Sequence, residues 1–478
     1  MKVEKEVESN GGFRQGKVLT RYVICILGSI GLGIAYGLKV NFHVAIVSMV
    51  NHTAVNAESQ AEISEDGPFI WDKFVQGLLL SSYFWGYIVA ELPGGQLAEN
   101  FSAKWVMFFA IASNVAGALF TPLGAKLHYS VLIVLRVIQG IGGGVTFPGM
   151  HCVLAHWAPP NERSVMSTIV YAGTALGTVT MMLLSGLIAT NLGWEYVFYI
   201  EGGVCAIWLP LWFVLAADSP VSQRFISLEE RKFIVTSLDD GKEHKHLKMP
   251  WKAAMLSPSF LAILVAHTCS NWGWYMVLVE LPLYMKTVLK FSMANNAFLT
   301  ALPFLTMWFF SMAFSKLMDH LRTTGKITTT TARKIATGVA SLGPMICFIC
   351  LGYFEDKTAG VTLMTLAVTF IGAMFCGFLS NHIDISPNFA GTLVAVTNTV
   401  ATIPGIAVPF VVSALTEHDE SLASWRILFW ITVTLYAIEF IVFVIWGSGE
   451  EQPWNNPSSS KKLGENEPLK PASLQPTK

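Results

Sequence analysis

YVICILGSIGLGIAYGLKVNFHVAIVSMV, residues 22–50, runs for 29 residues with a single formal charge, Lys39. A helix needs about 20 mostly apolar residues to cross a hydrocarbon core roughly 30 Å thick, so this stretch has the length and polarity of a membrane span. It is too long for a signal-peptide core and lacks a small-residue cleavage site. It also follows a polar, charged segment, MKVEKEVESNGGFRQGK, so it reads as a retained first span.

Eleven further apolar runs follow: Phe74–Ala98, Lys104–Ala125, Ser130–Trp157, Val165–Thr190, Trp194–Ala217, Phe260–Leu289, Ala297–Leu317, Ile335–Phe354, Val361–Leu379, Gly391–Leu415 and Ile427–Trp446. The expected fold is therefore an all-α membrane protein with twelve transmembrane helices. Composition agrees: of 478 residues 53% are hydrophobic and 13% charged, with a mean hydropathy of +0.51. The net charge of -1 hides an uneven distribution of Lys and Arg and says little about partners; no nucleic-acid partner is expected. All seven cysteines lie in apolar stretches, which excludes a disulfide framework or a zinc knuckle, and Cys347 and Cys350 read as packing residues despite their CxxC spacing. No nucleophile elbow, metal-ligand pair or P-loop is present, and no cofactor is expected.

The longest polar interruption between runs, SPVSQRFISLEERKFIVTSLDDGKEHKHLKMPW (219–251), divides the spans six and six. Phe225, Leu228, Phe233, Ile234 and Leu238 give it the spacing of a short amphipathic helix. The organisation read from this is a segment 1–21, a bundle 22–217, a linker 218–252, a bundle 253–447 and a tail 448–478. An internal repeat supports it: GWEYVFYI (193–200) and SWRILFWI (424–431) open the last span of each half.

Lys and Arg favour cytoplasmic loops. With the N-terminus inside, 23 of the 31 fall in cytoplasmic segments and six on the other face, while Lys39 and Arg136 lie within spans. Both termini are thus expected in the cytoplasm. The loop NHTAVNAESQAEISEDGPFIW (51–71) has no Lys or Arg, four acidic residues and the sequon Asn51-His52-Thr53, so it is expected outside or in a lumen with Asn51 as the glycosylation candidate.

A Lys or Arg at a helix centre costs at least about 2.5–3.5 kcal/mol, so an intramembrane charge is a functional candidate by default. Lys39 shares a helical face with Tyr36 and His43. Arg136 opens RVIQGIGGGVTFPG (136–149), where Gly140, Gly142, Gly143 and Gly144 follow an apolar helix start and read as close helix packing. Both cations fall between the membrane centre and the face opposite the termini. Two cations in one cavity repel unless an anion lies between them. Snorkelling of Lys39, or a clamp from Arg136 to Gln139, is the purely structural alternative. Glu91, Glu201 and His43 are the coupling candidates.

PGGQLAENFSAKW (93–105) and RVIQGIGGGVTFPG resemble the loop and helix-4 signatures of the major facilitator superfamily. KVNFHVAIV (39–47), YFWGYIVAELPGG (83–95), GVTFPGMHCVLAHWAPPNERS (144–164), NHIDISPNFAGTLVAVTN (381–398) and SGEEQPWN (448–455) closely resemble its anion-transporter family, which includes sialin, vesicular glutamate transporters and sodium/phosphate cotransporters. That resemblance implies alternating access between two six-helix bundles around a small anionic substrate. It implies that Lys39 stands where the family usually has Arg, that Arg136 is the family's helix-4 arginine, and that Tyr36, Tyr171, Asn271 and Tyr275 line the cavity. Lys supplies a point charge where Arg supplies a fork. A helix-4 glutamate of sialin and the glutamate carriers is replaced by Gly143. The glutamate carriers' helix-2 histidine and helix-7 arginine are replaced by Leu80 and Ser270.

These features give a secondary active transporter of organic anions or inorganic phosphate, driven by a sodium or proton gradient. A sialin-like proton-coupled lysosomal exporter of acidic sugars or acidic amino acids is the alternative, and a non-transporting sensor with the carrier fold is the rival from another class. A monomer in the lipid bilayer of a plasma, lysosomal or vesicular membrane is expected. In cysteine-accessibility scanning, positions in the 51–71 loop should label from the side opposite the termini. Labelling of that loop only after the cytoplasmic side is permeabilised would overturn the orientation.

Overall fold

Hydrocarbon offers no hydrogen bonds, so a chain crossing it must satisfy its backbone N–H and C=O groups internally, and this one does so with helices. The computed structural model describes residues 19–51, 67–238, 249–287, 293–354, 356–416 and 422–456. The first half contains α1 (Thr20–Met49), α2 (Lys73–Leu97), α3 (Ala103–Leu127), α4 (Tyr129–Gly144), α5 (Thr146–Trp157), α6 (Arg163–Leu192), α7 (Trp194–Ala206) and α8 (Trp208–Leu215). The connection holds α9 (Leu228–Ser237) and α10 (Trp251–Met255). The second half contains α11 (Pro258–Thr287), α12 (Met293–Thr323), α13 (Thr329–Leu351), α14 (Lys357–Ile371), α15 (Phe378–Ile385), α16 (Ala390–Thr416) and α17 (Leu422–Trp446).

Among the described residues nine segments are long and apolar enough to cross a membrane. The segment Phe74–Leu127 holds both α2 and α3, while α4 with α5, α7 with α8 and α14 with α15 each run within one segment. Beyond these segments, α11 and α12 are 30 and 31 residues long.

Within the first bundle α1 packs along α6, and α2 along α4; within the second, α11 packs against α16 and α17, and α13 against α14 and α17. Glycines allow the close approaches. A Cβ on Gly140 would meet the Tyr83 carbonyl, one on Gly144 the Tyr87 carbonyl, and one on Gly177 the backbone of Gly33. The glycine run after Arg136 is therefore a helix-packing surface, as its sequence indicates. Trp194 and Trp425, the repeated tryptophans, are both buried near the start of their helices.

Both ends of the described chain lie on one face. Arg21 pairs with Glu162 before α6 (2.8 Å) and with Glu230 on α9 (3.0 Å). Ser386 Oγ and Asn388 N donate to Asn455 Oδ1 after α17. On the opposite face Lys126 pairs with Glu195 (2.9 Å), and Arg426 Nε donates to the Gly352 carbonyl. The linker helix α9 occurs within the expected stretch, capped by Ser227 Oγ, which accepts from Glu230 N. Of its expected apolar residues Ile234 is buried, Phe233 lies under the Arg21 guanidinium, and Phe225 and Leu228 are exposed. The linker residues 239–248, most of the 51–71 loop and the ends 1–18 and 457–478 lie outside the described residues.

The bundles meet where α6 packs on α12, and α2 and α5 pack on α16. Polar ties join them from the membrane centre to the face with the termini. Asp384 on α15 accepts from Arg163 Nη1 of α6 (2.9 Å) and from Arg333 Nε of α13 (2.6 Å), and Arg333 Nη1 also donates to Ser164 Oγ (2.7 Å). Asp319 pairs with Arg322 and accepts from Val165 N, while Glu99 accepts from Thr392 N and Oγ1. The seam is shut on this face.

Two boundaries differ from the apolar runs for the same reason. The run read as the ninth span begins at Ile335, which leaves Arg333 in a loop, yet α13 begins at Thr329 and Arg333 is 1% exposed. The tenth run stops at Leu379, yet α15 continues to Ile385 with Asn381, His382 and Asp384 buried. Ion pairs and hydrogen bonds let Arg333, Asp384 and His382 stay inside, whereas the buried Asn381 side chain has no hydrogen-bond partner.

Removing one partner of a buried ion pair costs about 3–5 kcal/mol, whereas losing an exposed N-cap costs about 1 kcal/mol. Thermal unfolding of purified protein should therefore show Asp384→Ala much less stable than Asp356→Ala, which removes the carboxylate that caps α14 by accepting from Ala359 N. Equal melting temperatures would deny Asp384 its role as the tie.

Candidate anion site

Lys39 stands on the wall of α1 that faces α2, and α2 carries the aromatic run Tyr83, Phe84 and Tyr87. The Lys39 ammonium lies 4.3 Å from the Phe84 ring centroid, 5.2 Å from Tyr36, 5.3 Å from Tyr87 and 5.6 Å from Tyr83. Desolvated cation–π contacts contribute up to about 2 kcal/mol each, so the rings offset part of the cost of burying this charge. Arg136 on α4 is 1% exposed. Its guanidinium lies 4.6 Å from the Phe42 centroid and 5.0 Å from Tyr83. Nη1 donates to Gln139 Oε1 (3.2 Å), Nη2 to the Lys39 carbonyl (3.3 Å), and Nε has no partner.

Among the described residues no carboxylate lies within ion-pair distance of either cation. Both rest on the ring of Tyr83. The Gln139 clamp foreseen for Arg136 exists, but it leaves the guanidinium's charge without a counter-charge. Aromatic faces polarise towards a cation without neutralising it, so the pair keeps its demand for an anion.

Tyr36, Asn271 and Tyr275 are brought together as expected, lining a cavity between the bundles with Phe147, His267 and Asn398. Its free volume is about 30 Å³, close to the share of one water molecule. Tyr36 separates this cavity from Lys39, since its ring is in contact with the ammonium on one side and lines the space on the other. The centre is thus closed in this state. Asn271 Nδ2 donates to the Ala401 carbonyl (2.9 Å) and ties α11 to α16. Tyr171 is not on the cavity wall: it is wholly buried, stacks on Phe147 at 5.2 Å, and its hydroxyl lies 2.5 Å from His151 Nδ1. It backs a lining residue.

The three coupling candidates part company. Glu91 stands where α2 meets α16 and accepts from Asn398 Nδ2, its other oxygen buried without a partner. The same amide donates to Tyr87 Oη (3.0 Å), which lies 3.4 Å from Tyr36 Oη, so a polar chain runs from Glu91 to the cavity wall. Glu201 sits within the first bundle, with both oxygens satisfied by Asn41 Nδ2 (3.0 Å) and Ser185 Oγ (2.7 Å). His43 Nδ1 donates to the Lys39 carbonyl (3.2 Å). Asn51, the glycosylation candidate, donates its backbone N–H to the Phe69 carbonyl (2.8 Å); the rest of its sequon lies outside the described residues.

Sequence reasoning missed several neighbours. Tyr83, Phe84 and Tyr87 are not among the candidates read from the sequence, although their i, i+1, i+4 spacing places three rings near one helix face. His151 and His382 stack edge to face across the bundle boundary at 5.4 Å. His382 Nε2 and His267 Nδ1 both reach Thr397 Oγ1, at 2.8 and 3.0 Å. No grouping of His, Cys, Asp or Glu among the described residues suits a metal ion.

Helical bundles with a polar seam, closed on one face and carrying buried cations, are the architecture of a secondary carrier. The chain belongs to the Major Facilitator Superfamily, whose sequence profile matches residues 19–409. It is 36% identical to human sialin over 449 residues, covering 91% of this chain and 90% of sialin. It is 34% identical to a zebrafish vesicular glutamate transporter 2.1 over 450 residues, covering 93% of this chain and 77% of that protein. Its fold matches a proton:xylose symporter with a TM-score of 0.68 at 15% identity, covering 92% of this chain and 98% of the symporter chain. A Cβ on Gly143 would collide with the Tyr83 hydroxyl, so here the tyrosine fills the space that a larger side chain at 143 would need.

Proposed function

We propose that the protein moves small anions, organic anions or inorganic phosphate, by alternating access, with Lys39 and Arg136 as the two charge partners of the substrate. The single observation that carries this reading is a pair of buried cations on aromatic rings with no carboxylate within ion-pair distance among the described residues. Such a pair is costly when empty and stabilised by an anion. The likeness to sialin and to a vesicular glutamate transporter supports the same substrate charge. The seam shut towards the termini and the one-water cavity support a closed stage of the cycle, in which Tyr36 must move before substrate reaches Lys39.

A proton or sodium gradient supplies the energy. Glu91 is the favoured coupling carboxylate, because its contact to Asn398 crosses between the bundles that must separate, whereas Glu201 is saturated within one bundle. Sialin-like export of acidic sugars or acidic amino acids from lysosomes is the second reading, favoured by the match along 90% of human sialin. In both, the termini face the cytoplasm, as the distribution of basic residues supports, and the protein works as a monomer in its membrane.

Charge-assisted hydrogen bonds contribute about 1.5–3 kcal/mol each. In proteoliposomes given a panel of anions under a proton or a sodium gradient, Lys39→Ala and Arg136→Ala should each raise KM by roughly one to two orders of magnitude or abolish uptake. Lys39→Arg should be milder because it keeps the charge. Glu91→Gln should retain exchange of substrate across the membrane but lose accumulation driven by protons. Wild-type KM and turnover in both alanine variants, at equal amounts of folded protein, would overturn the site assignment.

A further inference from the structure

A groove on the second bundle is lined by none of the residues that line the central cavity. It runs between α13, α14 and α17 with a free volume of about 520 Å³. Gly338 and Gly343 of α13 let the rings of Phe440 of α17 and Phe370 of α14 pack close against the helix, and these residues line the groove. Its lining is apolar except at one end, where Thr331 and Lys334 stand near the start of α13.

Length and charge both fit one leaflet. From Thr331 to Gly343 the helix rises about 18 Å at 1.5 Å per residue, close to the ~15 Å that is half of a ~30 Å hydrocarbon core. The polar end lies on the face that carries the termini and the closed point near the membrane centre. Lys334 has no ion-pair partner among the described residues. Its neighbour Arg333 turns inward to Asp384, so the two cations serve opposite sides of the helix. A long flexible side chain at this depth places its ammonium at headgroup level.

We infer that this groove binds one anionic phospholipid, with an acyl chain along α13 and the phosphate on Lys334. The apolar groove has room for an acyl chain, and the Lys334 ammonium, without an ion-pair partner among the described residues, selects a headgroup with net negative charge. On the orientation favoured by the basic residues, this leaflet is the one that carries anionic lipids. The inference rests on the fold and the groove, and it is independent of which anion the carrier moves.

Native mass spectrometry of the full-length protein, titrated separately with phosphatidylserine, phosphatidylcholine and cholesterol, tests it. The wild type should retain one phosphatidylserine in preference to phosphatidylcholine. Lys334→Ala should reduce that preference about fivefold, the ratio one lysine near an anionic surface supplies, and Lys334→Arg should restore it. Leu342→Trp, which fills the groove from its lipid-facing side, should weaken retention of both phospholipids, and Lys326→Ala, on the exposed turn before α13, should change nothing. Unchanged phosphatidylserine preference in Lys334→Ala, unchanged retention in Leu342→Trp, or preferential retention of cholesterol would each overturn the inference.

Discussion

A charge in hydrocarbon must be paired, solvated or put to use, and this chain obeys the rule in two different ways at two depths. Towards the face with the termini, Arg163 and Arg333 share Asp384, and Arg322 pairs with Asp319, so cations and carboxylates largely cancel. Lys39 and Arg136 instead rest on aromatic faces, with no carboxylate within ion-pair distance among the described residues. The paired set stabilises one closed arrangement of the bundles. The unpaired set leaves a deficit of negative charge that a substrate can fill.

Geometry links the two. The closed face holds α6 against α12 and α16 against α2 and α5, which presses the bundle faces together and leaves a central cavity of about 30 Å³. Tyr36 then stands between that space and the Lys39 ammonium, and its hydroxyl lies beside Tyr87, which contacts Asn398 from the other bundle. An anion drawing Lys39 away from its rings would disturb the same tyrosines that touch Asn398 and, through it, Glu91. A physical route thus joins substrate charge to the bundle seam without any long-range signal. The short polar chain has two members on α2, Tyr87 and Glu91, one turn apart.

Much of this was legible in the amino-acid sequence, for reasons that differ by residue. The spans follow from the length of apolar runs, and Lys39 and Arg136 stand out because burying them is costly. Tyr36 shares the helical face of Lys39, and Asn271 and Tyr275 have the amide and aromatic chemistry of a polar cavity wall; the structure gathers those three while placing Tyr171, which only family resemblance suggested, behind the wall. The Asp384 tie was hidden because polarity alone starts α13 too late and ends α14–α15 too early: a buried ion pair looks like loop until its partners are known. The ring cage was hidden because Tyr83, Phe84 and Tyr87 have the composition of any lipid-facing face. Glu91 and Glu201 look equivalent in sequence, and only their hydrogen-bond partners separate a residue at the seam from one clamped inside a bundle.

The central claim is that the two unpaired cations are the seat of the anion. Cryo-electron microscopy of the protein in nanodiscs, with the anion its uptake panel identifies, tests it most directly. The account predicts density for the anion within hydrogen-bond distance of both the Lys39 ammonium and the Arg136 guanidinium, with the Tyr36 ring displaced from its present contact with Lys39. Anion density elsewhere, with Lys39 still enclosed by Tyr36, Tyr83, Phe84 and Tyr87, would contradict it.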